Sequence, residues 1–158
     1  KGKSLGIIGY GNIGKRVQRI ANGFDMQTSV FKRGDNLHEF LQQNHDIITL
    51  HIPLSEQTRH ILSDNEFKLM KRGVLIINTA RPQLIEPKSL LAATDAGIVS
   101  KFGIDGDTDL VIPYQHKNSI ITHHIADATY EAQANITKQA LSQFVQFFEA
   151  GVELNRVV

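Results

Sequence analysis

The feature that most constrains this chain is a set of three glycines, Gly9-Tyr10-Gly11-Asn12-Ile13-Gly14, set between an apolar run and a helical pattern. Ser4–Ile8 is apolar and stops at Gly9, as a buried parallel strand does. Asn12–Ala21 repeats Ile13, Val17 and Ile20 at helical spacing, with Gly23 at its expected end. A strand that turns at once into a helix brings two backbones together. Gly9 permits the tight turn, Gly11 leaves the backbone open to an approaching group, and Gly14 lets helix pack closely on strand. The N–H groups and dipole of the helix N-terminus, at Asn12 and Ile13, then form an anion site. Alone, three glycines are an ordinary turn. With a strand before, a helix after and a second strand at Gln27–Phe31, they predict a pyrophosphate cradle for a dinucleotide.

The rest of the chain continues the alternation. Leu37–Gln42 reads as a short helix and Asp46–Leu50 as a third strand, ended by Pro53. Ser63-Asp64-Asn65-Glu66 is a capping box for a helix to Met70, with Gly73 beyond it. Val74–Asn78 is a fourth strand, Pro87–Ala96 a helix, and Val99–Ile104 and Ile120–Thr122 further strands. Thr129–Ala150 is one long amphipathic helix carrying Ile136, Leu141, Phe144, Val145 and Phe148. Strands alternating with helices imply parallel pairing through right-handed crossovers, hence a doubly wound α/β sheet of the Rossmann type over residues 1–158.

Composition narrows the partners. A formal net charge of +1 over 158 residues argues against nucleic acid or an anionic membrane, and no apolar stretch is long enough to span a bilayer. Cysteine is absent, which excludes disulfides and thiolate chemistry, and the expected compartment is the cytoplasm. Of the histidines, His116, His123 and His124 lie close together. Neighbours on a strand point to opposite faces and no carboxylate stands at zinc-site spacing, so no metal is expected. The chain opens at Lys1 without methionine and enters its first apolar run at once, which reads as a piece of a longer protein.

The second strand separates two cofactors. An NAD site ends that strand in an acid about 20 residues along, which accepts from the ribose 2′-hydroxyl. Here Phe31 is followed by Lys32 and Arg33, a pair suited to a 2′-phosphate, so NADP(H) is expected, with NAD(H) and Asp35 as the alternative.

Five ordered segments give the chain a family resemblance. Gly2–Gly14, His51-Ile52-Pro53-Leu54-Ser55, Ile77-Asn78-Thr79-Ala80-Arg81, Gly103-Ile104-Asp105 and His124-Ile125-Ala126 resemble the coenzyme domain of the D-2-hydroxyacid dehydrogenases. Asn155-Arg156-Val157 is similar to the way these chains often close. The resemblance implies a hydride-transferring oxidoreductase acting on a 2-keto or 2-hydroxy acid, commonly dimeric, with a substrate domain encoded mainly upstream of Lys1. It makes Arg81 the anchor of the substrate's carboxylate and keto oxygen, a role a planar guanidinium suits, and His124 the general acid–base. It places Asp105 on the nicotinamide carboxamide, and His51, Pro53, Thr79 and Ala80 along the cofactor.

Three positions depart from that pattern. The family's glutamate partner of the histidine has Leu110 at its spacing from Arg81; Asp107 and Asp109 are the acids nearby, and Asp109 is the candidate taken here. Pro82 replaces a glycine after Arg81 and predicts an extended backbone at Arg81. Asp127 replaces another glycine and is expected to cap the last helix, with a carboxylate placed near His124 as the alternative. The missing glutamate leaves an alternative, a dinucleotide-sensing or co-repressor-like module without chemistry. Phe144, Phe147 and Phe148 cannot share one narrow helix face, so burial against a second subunit stands beside packing within the monomer.

Overall fold

A computed structural model describes residues 1–151. Apolar runs bounded by glycine, asparagine or proline become the strands β1 (Ser4–Ile8), β2 (Gln27–Phe31), β3 (Ile47–Leu50), β4 (Val74–Asn78), β5 (Val99–Asp105) and β6 (Ser119–Thr122). All pair in parallel, in the order β2-β1-β3-β4-β5-β6. The helices are α1 (Asn12–Gly23), α2 (Leu37–Leu41), α3 (Asp64–Lys68), α4 (Pro87–Asp95), α5 (Thr108–Val111) and α6 (Tyr130–Ala150). The chain divides into a sheet unit, Lys1–His124, and a second unit that begins at Ile125 and carries α6.

Alternation along β1 sends successive residues to opposite faces of the sheet. Ile7 packs with Leu5 and Ala21 beneath α1. Ile8 joins Ile48, Leu50, Ile76, Leu90 and Phe102 in the larger cluster on the other face. On the α1 side, the register row Ile77–Gly103–Ile120 runs across β4, β5 and β6, and both isoleucines are exposed. The expected Rossmann sheet is therefore present, with strand boundaries within a residue of the sequence pattern.

Several ends differ. Gly23 belongs to α1, and the left-handed residue that leaves the helix is Asp25, with φ 56°. Asp127 does not cap α6. Thr129 does, its side chain accepting from the Ala132 N–H, while the Asp127 carbonyl accepts from Gln133 Nε2. The capping box on α3 forms as expected, with Ser63 and Glu66 serving each other's backbone. The turns Pro82–Leu84 and Ile112–Tyr114 and the helix α5 are one turn or less, too short for a hydrophobic period to declare them. Among the described residues no helix is long and apolar enough to cross a membrane. The Asn155-Arg156-Val157 segment lies outside the described residues.

This packing disfavours the charged form of two histidines. His45, 3% exposed, lies with Phe40 against Gly6 and makes a 3.0 Å bond to the Phe40 carbonyl. Burial lowers its pKa, outweighing that bond and the Asp46 charge, and burial also lowers the pKa of His51. Below the ordinary histidine value the unfolded chain binds protons that the folded chain refuses, so stability falls as pH drops through about 6.5. The melting temperature is expected to decline between pH 7.5 and 5.5. His45→Gln, which keeps a donor for the Phe40 carbonyl, flattens that slope in calorimetry; an unchanged slope contradicts this.

Candidate active site

Strand order reverses between β1 and β3, and there the carboxyl ends of a doubly wound sheet leave a crevice. The glycine turn forms one side of it. Gly9 has φ 102°, and a Cβ there would lie 2.5 Å from the His51 carbonyl oxygen. A Cβ on Gly14 would overlap the Gly9 carbonyl oxygen, so α1 sits against the turn as closely as backbone allows. At Gly11 a Cβ would meet open space. Gly11 is also the N-cap of α1, with no capping side chain and no acid in the first turn. Among the described residues the first-turn N–H groups thus have no side-chain cap and are open to an outside acceptor. A cradle that excludes side chains from its frame and leaves its mouth open fits a pyrophosphate.

Beside it lies a cleft of about 420 Å³, lined by Ile13 from α1, His51–Leu54 after β3 and Thr79–Arg81 after β4. His51 Nε2 lies 3.0 Å from Thr49 Oγ1, which turns the ring along its own strand. Arg81 is extended, at φ −146° and ψ 131°, as the following proline requires. Its Nη1 donates to the Ala80 carbonyl at 2.7 Å.

Residues that the sequence pattern did not single out hold this segment. Asn78 is fully buried; its Nδ2 donates to the Arg81 carbonyl at 2.8 Å and its Oδ1 accepts from the Ala80 N–H at 3.1 Å. Tyr114 is buried too, and its hydroxyl lies 2.7 Å from both the Pro82 and Ile85 carbonyls. Burial, and then the charge of Glu86, push its phenol well above the usual tyrosine range, so it stays a donor. A polar residue in a strand's last position was the available signal for Asn78.

Pro82 explains a second glycine. A Cβ on Gly106 would overlap the Pro82 ring and lie 3.3 Å from Val111 Cγ1. Gly106→Val is expected to cost about 2 kcal/mol by overpacking. In a Pro82→Gly background that cost drops by about 1 kcal/mol or more, a coupling that chemical denaturation of the four-member cycle measures. Additive costs contradict the pairing.

The ends of β5 and β6 form the other half of the candidate site. Asp105, 7% exposed, accepts at Oδ1 from the Thr122 hydroxyl and, at 3.0 Å, from the His124 N–H. His124 itself has φ 53°, a left-handed conformation uncommon for a side-chain-bearing residue and concentrated at functional sites. Its Nδ1 lies 2.8 Å from Asp107 Oδ1. An ionised carboxylate only accepts, so Nδ1 carries the hydrogen and Nε2 is the nitrogen left to exchange a proton. The carboxylate beside His124 is Asp107 rather than Asp109. Asp107 is the N-cap residue of α5, whereas Asp109 lies exposed in that helix, with no bond to His124 among the described residues. A carboxylate thus stands within hydrogen-bond distance of His124, although not at the glutamate's spacing from Arg81.

The remaining candidates fall outside the cleft. Lys32 and Arg33 are exposed past β2, and the Lys32 N–H donates to Asp35 Oδ2 at 2.7 Å. That bond engages the one nearby acid that was the alternative ribose partner. His123 Nδ1 lies 3.4 Å from Thr108 Oγ1, and His116 pairs with Asp95 at 3.2 Å. Among the described residues no three His, Cys, Asp or Glu side chains are grouped to hold a metal.

A parallel sheet of this order with a glycine cradle at its switch point defines a dinucleotide-binding domain of the Rossmann class. Residues 1–126 match the model of the D-isomer specific 2-hydroxyacid dehydrogenase NAD-binding domain, and the chain belongs to that family. It is 30% identical over 175 residues to glyoxylate reductase of Thermococcus litoralis, covering 99% of this chain and 52% of that protein. It is 34% identical over 168 residues to glycerate dehydrogenase of Methylorubrum extorquens, covering 99% and 53%. Among solved structures, a glyoxylate reductase from Paecilomyes thermophila superposes with TM-score 0.89 at 32% identity, covering 99% of this chain and 52% of that one. The apo D-lactate dehydrogenase from Escherichia coli gives 0.84 at 29%, covering 99% and 54%. The chain spans about half the length of the relatives it matches.

Proposed function

We propose that the protein is a dehydrogenase that reduces a short 2-keto acid to the D-2-hydroxy acid, with NADP(H) preferred over NAD(H). The observation that carries this reading is the His124–Asp107 pair, with the His124 backbone tied to Asp105 at the end of β5. When bound, the nicotinamide supplies the hydride that adds to the carbonyl carbon. His124 in its protonated form donates Nδ1–H to Asp107 and delivers the Nε2 proton to the carbonyl oxygen, which balances the reduction. Arg81 holds the substrate carboxylate and the charge that develops on the oxygen. Asp105 Oδ2, without a protein donor among the described residues, is left to accept from the nicotinamide carboxamide. Gly9, Gly11, Asn12, Ile13 and Gly14 hold the pyrophosphate, and His51, Pro53, Thr79 and Ala80 line the cofactor.

NADP(H) preference is supported by Lys32 and Arg33 at the end of β2 and by the engagement of Asp35 with the Lys32 N–H. The substrate's other wall belongs to a separate substrate domain, so this chain alone binds cofactor without turnover. The reading includes a homodimer, into which the exposed Phe144, Phe147 and Phe148 of α6 fit as contact residues; sedimentation tests it. It also expects a cytoplasmic protein, drawing on the cell's soluble nicotinamide pool, which fractionation tests.

The enzymatic claim is tested with the protein fused to, or supplied within, its whole polypeptide. NADPH oxidation should follow glyoxylate or hydroxypyruvate and not acetaldehyde, which offers Arg81 no carboxylate. Equal rates with the aldehyde would remove Arg81 from its role.

A further inference from the structure

Tyr10, between the first two glycines, has no place in the cradle's backbone logic, yet it is the most heavily engaged side chain of the turn. Its hydroxyl donates to Gln18 Oε1 at 2.6 Å, Gln18 Nε2 donates to Thr28 Oγ1 at 3.1 Å, and the Thr28 hydroxyl donates to Asn22 Oδ1 at 3.1 Å. This chain of bonds runs from the glycine turn along α1 to β2 and fixes the plane of the ring. Two ammonium groups converge on that ring: Lys32 Nζ at 5.1 Å from its centroid and Lys15 Nζ at 5.7 Å. Even at an exposed site a cation–π contact helps to place a long side chain that solvent would otherwise leave free. Two like charges at one ring also repel, a cost that a bound dianion reverses. A phosphate monoester carries close to two negative charges at neutral pH, and the nearby Asp35 is turned onto the Lys32 N–H.

We propose that Tyr10 is a specificity-determining positioning residue, whose bonded ring gathers Lys15 and Lys32 into one cationic seat for the 2′-phosphate of NADP(H). The proposal rests on the NADP(H) reading and adds to it a second lysine and the platform that sets both. Calorimetric titration of wild type, Tyr10→Leu, Tyr10→Phe and Lys32→Ala with NADPH and NADH tests it. Tyr10→Leu should narrow the NADPH-to-NADH affinity ratio by about threefold to tenfold, and Tyr10→Phe, which keeps the ring face but loses the bond to Gln18 that orients it, by a smaller factor. If Tyr10→Leu weakens both cofactors equally, or leaves the ratio unchanged, while Lys32→Ala narrows it, the role of Tyr10 is overturned and the NADP(H) reading survives. If Lys32→Ala also leaves the ratio unchanged, both fall together. Should Tyr10→Leu fail to fold, Lys15→Gln carries the same test: a narrowed ratio supports the shared seat, and an unchanged one overturns it.

Discussion

Gly14→Ala is expected to lose about 2 kcal/mol of stability and to weaken dinucleotide binding at least about tenfold. The added methyl would overlap the Gly9 carbonyl oxygen, which is backbone and has no rotamer in which to retreat. Either β1 or α1 must shift, and the shift moves the helix N–H groups away from the phosphates they are to bind. Gly11→Ala provides the contrast. Its Cβ would meet open space, and its φ of −80° suits any L-residue, so stability should stay within about 0.5 kcal/mol. Binding should nevertheless fall, because that open space is where the cofactor is to lie. Thermal denaturation and titration of both variants separate the two effects. A stable Gly14→Ala with intact binding contradicts the close packing, and a Gly11→Ala that binds as wild type contradicts the cradle.

The second large effect is expected at His124. His124→Gln should lower kcat by about 10²- to 10⁴-fold, the range that positioned proton transfer contributes, with cofactor affinity little changed. Asp107→Asn should cost kcat about tenfold or more, since a neutral amide no longer obliges Nδ1 to carry the hydrogen. Asp109→Asn should stay near wild type, because Asp109 makes no bond to His124 among the described residues. Steady-state kinetics of the three in the whole polypeptide distinguish the two acids. A larger loss in Asp109→Asn than in Asp107→Asn would reverse the assignment.

That pair of aspartates marks where sequence reasoning ran out. Both lie in the segment between β5 and β6, and counting from Arg81 cannot separate them. The distinction depends on α5 starting at Thr108, and a four-residue helix holds barely one period of any pattern. The Pro82–Leu84 turn was hidden for the same reason. The central strands were legible because parallel strands buried on both faces read as unbroken apolar runs, as Leu5–Ile8 of β1 does. The three glycines were legible because each answers a different steric demand, now visible at Gly9 and Gly14.

Side chains that act on the backbone of others were harder to see. Asn78 closes β4 in a way no periodicity encodes, although it holds the Ala80 N–H and the Arg81 carbonyl. Tyr10 reads as a filler between glycines until its bonds to α1 and β2 are traced. The cap of α6 passed from Asp127 to Thr129 because two capping residue types stand two positions apart, and only the turn geometry chooses. The stripe on α6 was legible as apolar from its helical spacing.

Titration of this chain with NADPH and NADH in parallel at low salt tests the central claim most directly. The account predicts that both bind and that NADPH binds more tightly, with the difference shrinking as salt screens Lys32 and its neighbours. If neither dinucleotide bound, the glycine turn would be only a structural relic and the account would be contradicted.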